Sequence, residues 1–258
     1  MVGGPSGQML LQLLDLEGVN CLPVAIGGHT RESFTVRDLG NGQEYRFVLP
    51  GPLVEPAEVA LALQTLKQQL APRYLVASGS LPPGMPPHFY AELAVIARTW
   101  NARLVVDGSG PALSAALESG VYMVKPSLRE MREITGQPLN SLVAVREAAQ
   151  KWVSDGRAEV VAVSLGDKGA VLVCAQAALF APALAVNVVS AVGAGDSFVA
   201  GMVWALSEGQ TVQSAFALAV AAGSAALSSS GTGLCTPEDV HYAVERVQLV
   251  SEFPEMVL

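Results

Sequence analysis

From residue 55 onward, short runs of almost purely apolar residues alternate with segments patterned for helices. That alternation restricts the fold more than any other feature. The runs are Tyr74-Leu75-Val76-Ala77, Leu104-Val105-Val106-Asp107, Tyr122-Met123-Val124 and Val160-Val161-Ala162-Val163. Strands apolar at nearly every position are buried on both faces, as in a parallel sheet with helices on each side. The intervening segments predict helices over about 56–70, from the 78–87 loop to Trp100, before Tyr122, after Lys125-Pro126-Ser127, and over 141–154. Two more follow at about 194–207 and 211–228, and a last one after Pro237. The expected class is α/β, a doubly wound, mostly parallel sheet. In such folds ligands collect beyond the carboxyl ends of the strands. Ser78, Asp107, Lys125, Ser164 and the 190–196 turn fall at that edge.

The first 50 residues read differently. A helix is predicted over 7–18 and a short strand over Leu22–Ile26. A β-hairpin follows, with Ser33–Leu39 going out, Gly40-Asn41-Gly42 turning and Gln43–Leu49 returning.

Several function classes are excluded early. A net charge of −8 disfavours nucleic-acid and anionic-membrane surfaces. No apolar run reaches the ~20 residues of a membrane span, and Met1-Val2-Gly3-Gly4-Pro5 has no basic n-region. Cys21, Cys174 and Cys235 are odd in number and far apart, which fits a reducing cytoplasm rather than a disulfide framework or a zinc site. His29, His88 and His241 have no metal-ligand spacing. Neither a Walker-type nor a Rossmann glycine pattern is present. Gly195-Asp196-Ser197-Phe198 suggests a serine esterase, but the late Glu238-Asp239-Val240-His241 has the wrong acid–histidine spacing for one.

The richest stretch is Val189-Ser190-Ala191-Val192-Gly193-Ala194-Gly195-Asp196-Ser197-Phe198. A β-branched run feeds two glycines one residue apart, and Val199, Met202, Val203 and Leu206 then mark one helix face. A glycine-rich turn opening a helix leaves backbone N–H groups unpaired at the positive end of the dipole, an anion site made without side chains. Asp196 in the first turn is either a favourable N-terminal residue or a general base held beside a phosphate.

Six segments carry a family resemblance. They are Val189 to Gly201; Thr30-Arg31 with Glu44-Tyr45-Arg46-Phe47-Val48-Leu49-Pro50-Gly51; Ser78-Gly79-Ser80-Leu81-Pro82-Pro83-Gly84; Val124-Lys125-Pro126; Val163-Ser164-Leu165-Gly166; and Ala221-Ala222-Gly223-Ser224-Ala225-Ala226. Taken in chain order they resemble the PfkB (ribokinase-like) sugar kinases, and within them the ATP-dependent phosphofructokinase branch. The resemblance implies phosphoryl transfer from Mg·ATP to fructose-6-phosphate. It makes Asp196 the base, with Gly193, Ala194 and Gly195 offering N–H groups to the charge on the transferring group. Arg31 would meet the phosphate already on the sugar, and Ser80 would lie near the sugar. Lys125, Ser127, Ser164, Gly166 and Gly169 match nucleotide-contact positions, with Val220 and Ser224 on the adenine side. Glu130 would handle Mg²⁺ through water. Carbonyls of Ser190, Val192, Ala226, Ser229, Gly231 and Gly233 mark where K⁺ binds in some members. The hairpin, about 30–50, would be a lid able to pair two subunits into a homodimer.

The sequence departs from the family pattern at two places. The segment Ser127-Leu128-Arg129-Glu130 has a hydroxyl where the family has an asparagine amide, which predicts weaker Mg·ATP handling. The family's further upstream βαβ unit, with a Gly-Gly-x-x-x-Asn motif, has no counterpart, so residues 1–258 are expected to form one N-terminally incomplete kinase domain with impaired sugar affinity. Sugar choice thereby stays open to 1-phosphofructokinase or tagatose-6-phosphate kinase activity. A non-catalytic nucleotide- or sugar-phosphate-binding remnant is the remaining alternative.

Overall fold

The computed structural model describes residues 1–38, 40–41, 43–229 and 233–258, without the side chains of Arg37 and Glu44. The chain forms two compact units, residues 1–71 with 80–89 and residues 72–79 with 90–258.

In the first unit, helix α1 (Gly4–Leu16) starts with Pro at its first turn, where a missing N–H is harmless. It begins three residues before the predicted start. The strand expected over 22–26 does not form. Ala25 makes only an isolated parallel bridge to Val2, and Val24 and Ile26 exchange bonds with Val2 at 2.9 and 3.0 Å. The ladder goes no further because the partner stretch turns into α1 at Gly4. The hairpin does form: β1 (Ser33–Arg37) pairs antiparallel with β2 (Glu44–Val48), Phe34 opposite Phe47 and Val36 opposite Tyr45. Those four side chains share one face by alternation, all are exposed, and the two Phe rings stack at 4.9 Å. Of the expected turn, Gly40 and Asn41 are described and Gly42 lies outside the described residues. Helix α2 (Pro56–Lys67) opens on a capping box between Glu55 and Glu58 and ends three residues before the predicted limit.

The second unit is built on six strands: β3 (Tyr74–Ser78), β4 (Arg103–Asp107), β5 (Val121–Val124), β6 (Ala158–Ser164), β7 (Gly169–Cys174) and β8 (Ala177–Pro182), in spatial order β3-β4-β5-β6-β7-β8. β3 to β6 are parallel, and β7 and β8 return antiparallel. The reversal after β6 is made by a tight turn at Gly166–Lys168. One sheet face packs Val105, Met123, Val160 and Leu172 against Phe198, Met202 and Phe216 of α7 (Ala194–Ser207) and α8 (Val212–Ala226). Residues of opposite parity, such as Val106, Val124 and Val161, are equally buried. Helices α4 (Gly110–Ser119) and α6 (Leu142–Ser154) lie against β4, β6 and β7. Helices α3 (Phe89–Thr99), α5 (Leu128–Thr135) and α9 (Pro237–Val244) complete the chain. β3 departs from the fully buried expectation because it is the end strand of this sheet, and Val76 is 43% exposed. Among the described residues no helix is long and apolar enough to cross a membrane.

Candidate active site

The parallel register aligns the carboxyl ends of the strands. Ser78 pairs with Asp107 across β3 and β4, Val124 precedes Lys125 at the tip of β5, and Ser164 ends β6. A buried ion pair forms there: Lys125 Nζ stands 3.1 Å from Asp107 Oδ1, with side-chain exposures of 7% and 17%. Burial pushes the Asp107 carboxyl above its ordinary range. The ammonium of Lys125 pulls it back, while the charges of Asp196 and Glu130 push it further up. Tyr90 Oη donates to the Gly79 carbonyl at 2.6 Å, and burial, then the Asp107 charge, raises its pKa.

The glycine-rich turn sits beside this pair. Gly193 adopts the left-handed region (φ 81°), which only glycine enters without strain, and α7 starts at the next residue with no side-chain cap. A Cβ at Gly195 would stand 3.6 Å from Lys125 Nζ and 4.0 Å from Asp107 Oδ2. The first N–H groups of α7 therefore open next to an ammonium. Asp196 is exposed on the same turn, its Oδ1 accepting from Ser78 Oγ at 3.4 Å. It also lines a shallow hollow of about 430 Å³ with Val76, Val199, Val203 and Trp204. The turn is placed by packing from below. At Gly223 of α8 a Cβ would come within 3.1 Å of the Ala194 carbonyl and 3.4 Å of Phe198 Cβ, so the absence of a side chain lets α8 touch the start of α7.

The other expected residues fall as follows. Ser127 caps α5: its Oγ accepts from Glu130 N at 3.3 Å, and its own N–H donates to Glu130 Oε2 at 2.7 Å. One oxygen of Glu130 is thus committed to the helix end. Ser164 donates its N–H to the Pro126 carbonyl at 3.0 Å, joining the loops after β5 and β6. Gly166 has φ 63° and open space for a Cβ. Gly169 has a backbone reason for its identity, since with φ 111° a Cβ there would lie 2.0 Å from the Ala181 carbonyl. Val220 is buried in the core with Phe198, while Ser224 is half-buried one turn on. The Val189 and Ser190 N–H groups both donate to the Leu227 carbonyl, at 2.8 and 3.2 Å, which brings the Ser190–Val192 loop against the end of α8 with Ala226 and Ser229. Gly233 lies in the following loop, and Gly231 lies outside the described residues. On the first unit, exposed Arg31 donates from Nη2 to Ser80 Oγ at 3.5 Å. Asp107, Ser78 and Gly223 are the site residues that sequence reasoning left out of its binding set. Asp107 and Ser78 carried a signal in being polar strand ends, and Gly223 in interrupting an alanine-rich helix.

An open α/β sheet whose strand tips present a lysine–carboxylate pair beside an uncapped, glycine-rich helix start defines a phosphate-handling α/β protein. The family model described as pfkB family carbohydrate kinase matches residues 1–239. The chain is 41% identical over 239 residues to the ATP-dependent 6-phosphofructokinase isozyme 2 of Mycobacterium tuberculosis, covering 92% of this chain and 70% of the relative. It is 37% identical over 229 residues to the 1-phosphofructokinase of Rhodobacter capsulatus, covering 88% and 72%. The crystal structure of Escherichia coli phosphofructokinase-2 in complex with potassium superposes with a TM-score of 0.90 at 36% identity, covering 95% of this chain and 80% of that one. The chain belongs to the pfkB family of carbohydrate kinases.

Proposed function

We propose that this protein transfers the γ-phosphoryl group of Mg·ATP to the primary hydroxyl of fructose-6-phosphate. The observation that carries the reading is the exposed Asp196 carboxylate on the uncapped first turn of α7, with the Lys125 ammonium beside Gly195. These groups fit a nucleotide's terminal phosphates: bare N–H donors, one buried cation and an acceptor within a single turn. Bound Mg·ATP supplies the phosphoryl group to be transferred. Asp196 takes the proton of the attacking hydroxyl as it becomes a nucleophile. Gly193, Ala194 and Gly195 hold N–H groups toward the negative charge that builds up there, and Lys125 neutralises part of it. Val220 and Ser224 flank the base. Glu130 keeps one carboxylate oxygen for a metal-bound water, the other being used by Ser127. Arg31 is assigned to the phosphate already on the sugar, a fork suited to that anion, and Ser80 to the sugar itself.

A monovalent cation, K⁺, is assigned to the carbonyls of Ser190, Val192, Ala226, Ser229 and Gly233. Support comes from the hydrogen bonds that tie the first loop to Leu227 and from the potassium complex of the Escherichia coli relative. The apolar hairpin face, Phe34, Val36, Tyr45 and Phe47, is assigned to pairing with a second copy.

Fructose-6-phosphate is favoured over fructose-1-phosphate because the 6-phosphofructokinase relative shares 41% identity and the 1-phosphofructokinase relative 37%. Coupled ADP release with fructose-6-phosphate, fructose-1-phosphate and tagatose-6-phosphate tests the reading. Turnover fastest with fructose-6-phosphate is expected. Nucleotide binding without sugar-dependent ADP release would identify a non-catalytic remnant instead.

A further inference from the structure

The edge of the sheet opposite the kinase residues carries a second concavity that the reaction does not use. It is a cavity of about 700 Å³ at the amino ends of β3 to β6, lined by Arg73, Arg98, Arg103, Tyr74, Tyr122 and Glu159 among others. Tyr74 and Arg103 are the first residues of the strands that end in Ser78 and Asp107, so the cavity lies about 13 Å along the strands from those ends. Its volume falls in the range of about 300–1,000 Å³ usual for small-molecule sites.

Its chemistry is cationic in a chain of net charge −8. Three guanidiniums line it against one carboxylate, and among the described residues none of the three has a carboxylate within ion-pair distance. Each is held in place by a neutral group. Arg73 Nη1 donates to the Ser207 carbonyl at 2.7 Å, and Arg98 Nη1 to the Ser119 carbonyl at 2.8 Å. Arg103 Nη1 donates to Tyr74 Oη at 2.8 Å, with its guanidinium 4.7 Å from the Tyr122 ring centre and 5.6 Å from that of Tyr74. Anchoring of this kind fixes the heads where Arg73 and Arg98 also offset the negative ends of α7 and α4. A guanidinium offers five donors, so donors remain available on each of these exposed heads, and the single lining carboxylate, Glu159, acts on Arg103 without closing an ion pair.

We propose that this cavity is a binding site for a small polyanion, a ligand bearing two or more phosphate or carboxylate groups bridged by the three arginines. It is separate from the kinase site and stands whatever that site phosphorylates. Inorganic pyrophosphate is the test probe, titrated into the full chain while the arginine Nε–Hε and backbone amide NMR signals are followed. The expected result is a saturable shift shared by Arg73, Arg98 and Arg103, read separately from any shift at Gly195 that reports the kinase site. In Arg98→Gln/Arg103→Gln the shared shift at Arg73 weakens at least tenfold while that at Gly195 is kept. Should that variant fail to fold, Arg98→Lys keeps the charge, loses the fork, and is expected to weaken binding several-fold. Arginine signals that stay put, or that move identically with sodium chloride at matched ionic strength, overturn the proposal. A diphosphate and a tricarboxylate compared at equal charge then distinguish phosphate from carboxylate ligands.

Discussion

Lys125 and Asp107, 18 residues apart in sequence, meet at 3.1 Å because β4 and β5 are neighbours in the sheet, and their pair touches the space a side chain would occupy at Gly195. Removing Lys125 leaves a partly buried carboxylate without its partner. Lys125→Met is therefore expected to lower stability by about 1–3 kcal/mol, less than for a fully buried charge because Asp107 keeps some contact with solvent. It should also abolish detectable ATP binding. Urea unfolding and nucleotide titration read the two effects.

Asp107 also makes stability respond to pH. Its carboxyl titrates above the ordinary 3.8 because it is buried, so between 3.8 and its folded value the native state holds more protons than the unfolded chain. That group's contribution consequently falls as pH rises through this window and is greatest below it. Asp107→Asn should remove this dependence. Unfolding free energies measured from pH 4 to 7 are expected to decline less steeply in the variant.

At Asp196 the effect should be almost purely kinetic. Its side chain is exposed on the α7 start, so Asp196→Asn is expected to leave unfolding within about 0.5 kcal/mol of wild type. Turnover should fall about 10²–10⁴-fold with nucleotide affinity retained, as for loss of a general base. Single-turnover ADP release together with equilibrium ATP binding checks the split.

Ser127→Asn separates cap from metal handling. Asparagine caps helices as well as serine, so the α5 capping box should survive and the melting temperature should hardly move. A lower Mg²⁺ requirement in the kinase assay is expected from the restored amide. An unchanged Mg²⁺ titration would refute the link between this position and Mg·ATP.

The crossing of α7 and α8 is tested by Gly223→Ala. The new methyl would press on the Ala194 carbonyl at 3.1 Å, and the neighbour that must yield is the glycine-rich turn itself. A loss of roughly 1–3 kcal/mol in stability is expected, together with a kcat deficit larger than that of Ala→Gly changes elsewhere on α8. Equal activity in mutant and wild type would show that the turn is positioned by something else.

Much of this was readable in the chain. The Val-rich strands, the α7 start and the polar strand ends follow from local pattern, because a doubly covered sheet imposes near-continuous apolar runs. What depended on non-local pairing was not readable. The meeting of Lys125 with Asp107 requires the strand order, and the approach of Gly223 to Ala194 requires the helix crossing. One local signal carried more than was read from it. Ser127-Leu128-Arg129-Glu130 has the spacing of a capping box, which forms in the structure beside the nucleotide and metal roles expected of these two residues. The strand expected at 22–26 is reduced to one bridge because its partner, the stretch at Val2, turns into α1 at Gly4, a non-local fact that the apolar run does not carry.

Gly201, where α7 meets α8, has a consequence for anyone trying to improve this molecule. Replacing helical glycine by alanine is a routine stabilising change, worth about 1 kcal/mol in an open helix. Here the added methyl would come within 3.1 Å of both the Ala222 Cβ and the Leu218 carbonyl. The residue that looks like the weakest point of the helix by propensity is thus the clearance at which two rods meet, and a consensus-guided redesign that fills it makes a neighbour give way by a few tenths of an ångström.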